Sequence, residues 1–263
     1  MFVDSHCHLE FPELRADLDG VIERARAAGI GRIVTIGTRK SGFDDLLEIT
    51  RAYDEVYCTA GVHPHEAAQP EEQITAAELV AMTKKPKVVG IGESGLDYFY
   101  DHAPREAQQK MFREHIRAAL ETGLPLSIHT RDAEEDTLAL LREEIANAGE
   151  GANLKAILHC FSSRRFLAEE ALKMGLYISV SGIATFKKSE ELRAILRDVP
   201  MDRLLIETDS PYLAPVPLRG KTCEPSYVVH TARTLAEIKN VSIDQIAAQT
   251  TENFFRLFSK VAQ

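Results

Sequence analysis

The stretch Phe2-Val3-Asp4-Ser5-His6-Cys7-His8 starts apolar and ends on two histidines two positions apart. In extended chain such residues share a face, so His6 and His8 point together while Cys7 points away. Two imidazoles so placed can share one metal ion. Seven more runs of strand character follow: RIVTIG at 32–37, VYCTAGVH at 56–63, KVVGIGE at 87–93, PLSIH at 125–129, KAILHCF at 155–161, YISVSG at 177–182 and RLLIE at 203–207. Between most of them lie stretches in which apolar residues return every three or four positions, such as DLDGVIERARAAGI, APREAQQKMFREHIRAALETG and SRRFLAEEALKMGL, the period of a helix with one buried face. Gly29, Gly123 and Gly175 close helical stretches where a left-handed cap suits glycine.

Eight strand–helix units without a long polar or Pro/Ser-rich linker predict one closed parallel barrel, an α/β chain of the TIM-type (β/α)8 class forming a single domain over residues 1–263. The segment SPYLAPVPLRGKTCEPSYV reads as a long loop over the barrel mouth, and two helices, near 225–240 and 242–258, close the chain with Ser242 as N-cap. Phe254, Phe255, Leu257 and Phe258 read as the anchoring face of the last helix.

Composition narrows the function classes. With 44% hydrophobic and 27% charged residues the chain can bury a large core. Its 31 basic against 40 acidic residues, a net charge of −9, exclude a broad electropositive face for tracking nucleic acid, so any such contact is local. The start MFVDSHCHLE has no basic segment before an apolar one, and no long uncharged apolar run follows. The expectation is a cytoplasmic protein with no membrane contact, no obligate protein partner, and a monomeric or weakly oligomeric state. Cys7, Cys58, Cys160 and Cys223 are too scattered for a zinc knot or a disulfide framework.

The chemistry concentrates at strand ends, where barrel enzymes place it. Glu93 closes the fourth strand, His129 the fifth and His159 the sixth, while Asp209 follows the eighth by two residues. With His6 and His8 they form a candidate metal set for two divalent ions. Glu93 would bridge through its two oxygens, Asp209 would complete the shell of the His6/His8 ion, and His129 and His159 would hold the other. Such a pair of ions, about 3.5–4 Å apart, activates water and clamps a phosphoryl group. Glu93 and Asp209 are therefore the candidate catalytic residues, Asp209 being placed to take a proton from the activated water. Glu207, on the same face as Asp209, is expected to orient a ligand from behind. His63 and His65 in GVHPH, and Arg131 with its bidentate fork, are candidate substrate contacts. For Arg131 an ion pair with the acidic helix that follows is a rival reading. His102, His115 and His230 read as surface or packing histidines.

In these motifs the chain resembles the TatD family of metal-dependent deoxyribonucleases, within the amidohydrolase-like barrels. The ordered set is DSHCHL, GVHPH, GESGLDY, IHTR, HCFS, SGIATFK and ETDSPYL, and it spans essentially the whole chain. The resemblance implies metal-assisted hydrolysis of DNA phosphodiester bonds, with His6, His8, Glu93, His129, His159 and Asp209 at the family's metal positions. It implies a DNA or short oligonucleotide substrate gripped by an end, hence exonuclease action. It leaves the ion open: the family is described as magnesium-dependent, whereas four imidazoles favour zinc or manganese. Cys223, in KTCEP, stands where asparagine is expected. Two other readings stay open from the residues. One is an amidohydrolase or phosphotriesterase-like hydrolase of a small ester, amide or aminoacyl substrate, although such barrels often bridge their metals with a carboxylated lysine where this chain has Glu93. The other is a noncatalytic binding barrel that keeps metal for stability.

Overall fold

The computed structural model describes residues 1–262. Eight parallel strands, each hydrogen-bonded to the next in chain order, form the barrel: β1 (Phe2–Cys7), β2 (Ile30–Thr35), β3 (Val56–Ala60), β4 (Val88–Asp97), β5 (Leu126–Arg131), β6 (Ala156–Leu158), β7 (Tyr177–Val180) and β8 (Leu204–Ile206). The helical layer comprises α1 (Pro12–Arg15), α2 (Leu18–Ala27), α3 (Phe43–Ala52), α4 (Ala76–Met82), α5 (Arg105–Thr122), α6 (Glu134–Asn147), α7 (Arg165–Lys173), α8 (Glu190–Asp198), α9 (Val228–Lys239) and α10 (Ile243–Leu257). All eight expected strands are present. Gly29, Gly123 and Gly175 take φ of 83°, 66° and 77°, the left-handed conformation expected of them. Ser242 caps α10 in a reciprocal capping box with Gln245.

The end of the chain closes one mouth of the barrel. Phe254, Leu257, Phe258 and Val261 pack against Val3, Tyr57, Val89, Ile157, Tyr177 and Leu205 near the strand starts. Burying each phenylalanine there contributes about 2–3 kcal/mol. Asn253 Nδ2 donates to the carbonyls of Met201 (2.8 Å) and Leu204 (2.9 Å), and Lys260 Nζ donates to those of Thr83 and Val88, both at 2.8 Å. That mouth is plugged with apolar side chains and its carbonyls are satisfied, which leaves the strand C-terminal ends as the open face.

β8 and β1 meet without a regular ladder. A single bridge joins Cys7 to Ser210, supported by His8 N–H donating to the Ser210 carbonyl (2.8 Å) and Asp209 N–H to that of His6 (3.0 Å). Ser5 Oγ donates to the Ile206 carbonyl (3.0 Å), and a further link is the buried Asp4, whose Oδ1 accepts from Thr208 N–H (2.9 Å) and whose Oδ2 lies 2.6 Å from Thr208 Oγ1. Burial first, then the nearby Glu207, push the Asp4 carboxyl up to about 8 against the hydrogen bonds from Thr208 and His6. A protonated Oδ2 donates to Thr208 Oγ1, which frees that hydroxyl to donate to Ser210 Oγ at 3.0 Å. The sign for stability follows. The unfolded chain loses this proton at about pH 4 and the folded chain at about 8. The contribution is therefore complete below the lower value and is lost as pH rises through the upper one. Asp4→Asn, which keeps the acceptor and supplies a permanent donor, is expected to flatten this decline in melts of metal-stripped protein between pH 5 and 8.5. Parallel slopes for the two proteins would remove Asp4 from the account.

Candidate metal centre

The open mouth leads into a cavity of about 1360 Å³ whose floor holds the predicted cluster. His6 and His8 lie on one side as the alternation requires, while Cys7 joins the apolar layer under the helices. Asp209 Oδ1 lies 3.7 Å from His6 Nε2 and 3.4 Å from His8 Nε2. Glu93 is central. Its Oε1 is 2.7 Å from His159 Nε2, 3.0 Å from His129 Nδ1 and 3.5 Å from His63 Nε2, and its Oε2 is 3.4 Å from His6 Nε2. One carboxylate thus faces four imidazoles from four strand ends.

Three groups offer converging ligand atoms: His6 with His8 and Glu93, His6 with His159 and Glu207, and His63 with Glu93 and His129. This differs in detail from the grouping expected from the sequence. His159 stacks on His6, with ring centroids 3.9 Å apart, so it belongs to both halves of the cluster. His63, expected at the substrate, lines the cavity and also reaches Glu93. His65 stands further out, its Nε2 3.0 Å from Asp97 Oδ2. Glu207 is fully buried behind His159, its Oε1 accepting from Cys160 N–H (2.7 Å) and lying 3.4 Å from His159 Nδ1.

The ion pair that Arg131 could make with the acidic helix is not formed. The acidic start of α6 is taken by Arg164, which pairs with Glu134 and Glu135. The Arg131 guanidinium is instead held 4.0 Å from the Phe99 ring centroid and 4.7 Å from that of Tyr100, and among the described residues no carboxylate lies within ion-pair range of it.

Asp97 was not singled out from the sequence. Its Oδ2 sits 3.0 Å from both His129 Nε2 and His65 Nε2, and its Oδ1 accepts from the Phe99 and Tyr100 N–H groups. A carboxylate on one ring nitrogen of His129 fixes the tautomer and aims the other nitrogen at Glu93. The signal lay in GESGLDY, but the strand was expected to end at Glu93, whereas β4 runs on to Asp97. His102 also lies nearer than expected, its centroid 4.6 Å from that of His65. His115 is a core histidine as expected, accepting from Val62 N–H at 2.9 Å. His230 lies outside the cavity lining.

The electrostatics suit cations. Burial pushes Glu93 up, but His159, His63 and hydrogen bonds from His129 and His159 outweigh it and hold the carboxyl well below its usual range. His159 rises well above the imidazole norm despite burial because it faces Glu93 and Glu207, and His8, opposed likewise by burial, is carried by Asp209 and Glu10 up to about 10. These protons balance buried carboxylates, and a divalent cation can replace them. Among the described residues the buried Nε2 of His6, Nδ1 of His159 and Oε2 of Glu207 have no hydrogen-bond partner, as befits atoms beside a site for a metal or its water. The residues present therefore fit divalent cations.

The model of the family described as TatD related DNase matches residues 3–259. The chain belongs to the TatD family. It is 42% identical over 258 residues to a metal-dependent hydrolase, YabD, of Bacillus subtilis, covering 98% of this chain and 99% of that one. It is 37% identical over 251 residues to the 3'-5' ssDNA/RNA exonuclease TatD of Cronobacter turicensis, covering 94% and 93%. The crystal structure of the TatD homologue YJJV from Escherichia coli superposes with a TM-score of 0.86 at 27% identity, covering 98% of each chain. This TatD-family chain is accordingly a metal-dependent hydrolase built on a (β/α)8 barrel. No helix among the described residues is long and apolar enough to cross a membrane.

Proposed function

We propose that this TatD-family hydrolase removes nucleotides from the ends of single-stranded DNA, working as one catalytic unit over its 263 residues in the cytoplasm, as a monomer or weak oligomer. The observation that carries the reading is Glu93, one buried carboxylate facing four imidazoles, an arrangement suited to bridging two ions. In this reading His6, His8 and Asp209 serve one ion and His129 and His159 the other, with Glu93 between them and His63 as an added donor. Bound there, divalent ions such as zinc, manganese or magnesium supply acidified water and offset charge developing on the phosphoryl oxygens.

The chain's own groups do the rest. Asp209, which burial pushes up but His8, His6 and His159 hold below its usual range, is ionised, and its carboxylate is the group placed to accept the proton. Glu207 and Asp97 keep His159 and His129 aimed at Glu93. Arg131, free of carboxylates, is available to a phosphate, and His65 lines the same cavity. The acidic chain suits a short strand end better than a long duplex. The exonuclease name of the Cronobacter relative points the same way.

The deciding experiment strips the metal, resupplies magnesium, manganese or zinc, and follows a 3'-labelled single strand beside Asp209→Asn. Stepwise shortening that needs metal and falls about 10³-fold in the variant is expected. Protein that holds metal yet leaves the strand intact would move the assignment to a small ester or amide.

A further inference from the structure

Two lines of aromatic rings lead outward from the histidine cluster. On the β1/β8 side His8 stacks on Phe11, with centroids 4.7 Å apart, and Tyr212 meets Phe11 edge-on at 6.1 Å. On the β4 side Tyr100 stands edge-on to His65 at 5.6 Å and to Phe99 at 4.9 Å and lies parallel to His102 with centroids 5.5 Å apart, the Arg131 guanidinium sits over the Phe99 and Tyr100 rings, and about half of Tyr100 stays exposed. The two lines end in solvent. Phe99, Tyr100 and Tyr212 are 56%, 49% and 52% exposed, and they are three of only six large apolar side chains exposed among the described residues. Half of the exposed apolar surface side chains therefore gather around one mouth, where rings available to planar ligands have a use and scattered ones would not.

The two ends differ in charge. Beside Tyr100 stands Arg131, which makes no ion pair among the described residues, while the carboxylates of that end are mostly engaged, Asp97 by His65 and His129 and Glu134 and Glu135 by Arg164, with Asp132 left over. Beside Tyr212 stand Glu13 and Asp209 on the cavity wall, with Glu10 close to His8. The first end offers a phosphate a cation, and the wall beside Tyr212 offers none. In a strand cut near its terminus, the last nucleoside carries no phosphate beyond the scissile one, whereas the preceding nucleoside carries the next.

We propose that Tyr212 and Tyr100 are stacking seats for the nucleobases on either side of the scissile phosphodiester. Tyr212 receives the terminal nucleoside that is released. Tyr100, with Phe99, receives its neighbour, and Arg131 meets the phosphate on that neighbour's far side. The inference rests on the nuclease reading and adds residue-level polarity to it. Stacking tolerates any base, so the seats select single strands with two unpaired bases without selecting a sequence.

The test is a double-mutant cycle with holoenzyme and six-residue single strands, the cleaved end being identified first by labelling. One strand is intact, one lacks the terminal base, and one lacks the base next to it. In the wild type each missing base is expected to raise KM about tenfold. In Tyr212→Leu the loss of the terminal base no longer matters, and in Tyr100→Leu the loss of its neighbour no longer matters. Both tyrosines are exposed, and melting curves confirm that the variants fold. Missing-base penalties that persist unchanged in the variants overturn the seats while the nuclease reading stands. Exchanged couplings overturn the polarity. An enzyme that holds metal and hydrolyses bis(p-nitrophenyl) phosphate but cleaves none of the strands overturns the nuclease reading itself, and the seats with it.

Discussion

Glu93→Gln is expected to cost most of the bound metal and about 10³-fold or more in turnover while leaving the barrel folded. The carboxylate stands within 3.5 Å of nitrogens on His6, His63, His129 and His159. An amide keeps the shape but loses the charge and offers one oxygen where two are needed. Four imidazoles then face one another with the charge of Glu93 removed, and a second cation brought near them has lost its shared anion. A loss of about 4 kcal/mol of charge stabilisation corresponds to about 10³ in rate. Metal per chain by atomic emission and initial rates at saturating ion read the effect, with circular dichroism for the fold. Full occupancy with undiminished turnover would remove Glu93 from the centre.

Gly95→Ala is expected to damage the site through the backbone, with a stability loss of about 3 kcal/mol or more. Gly95 has φ +151°, and a Cβ there would lie 1.9 Å from the His129 carbonyl oxygen. Gly95 pairs with His129 in the β4–β5 ladder, so relief requires the two strands to part at the residue facing both Glu93 and Asp97. Thermal melts of metal-stripped protein measure the first effect and zinc affinity the second. A variant with wild-type melting and affinity would mean that the ladder gives way at little cost.

How far the sequence foretold this site depends on backbone regularity. His6 and His8 were legible because two uncommon residues two apart share a side even though the register of β1 with β2 shifts between Asp4 and Cys7, and His159 and Asp209 because each lies just past a short, apolar strand. β4 was not legible beyond Glu93. It contains Gly92 and Gly95, both at positive φ, and its register with β5 shifts between Ile91 and Ser94. The period-2 pattern that tells which side chains share a face is interrupted there, so Asp97 could not be placed. The closeness of His63 to Glu93 was hidden for a related reason. His63 was read at the end of an eight-residue strand, but β3 stops at Ala60, and the loop beyond carries the ring inward to Glu93. Arg131 needed partners from two other segments, Phe99 with Tyr100 and Arg164 with the acidic helix, which no local pattern discloses.

The junction of β8 with β1 has a consequence for how the molecule comes into being. Asp209 is made some two hundred residues after His6 and His8, and the contacts that bring them together are those that close the ring. A chain interrupted during synthesis, or clipped before Thr208, retains many of the histidines but not their geometry. Hydrolytic competence therefore arrives late, and a cell carrying unfinished copies is spared an early hydrolase.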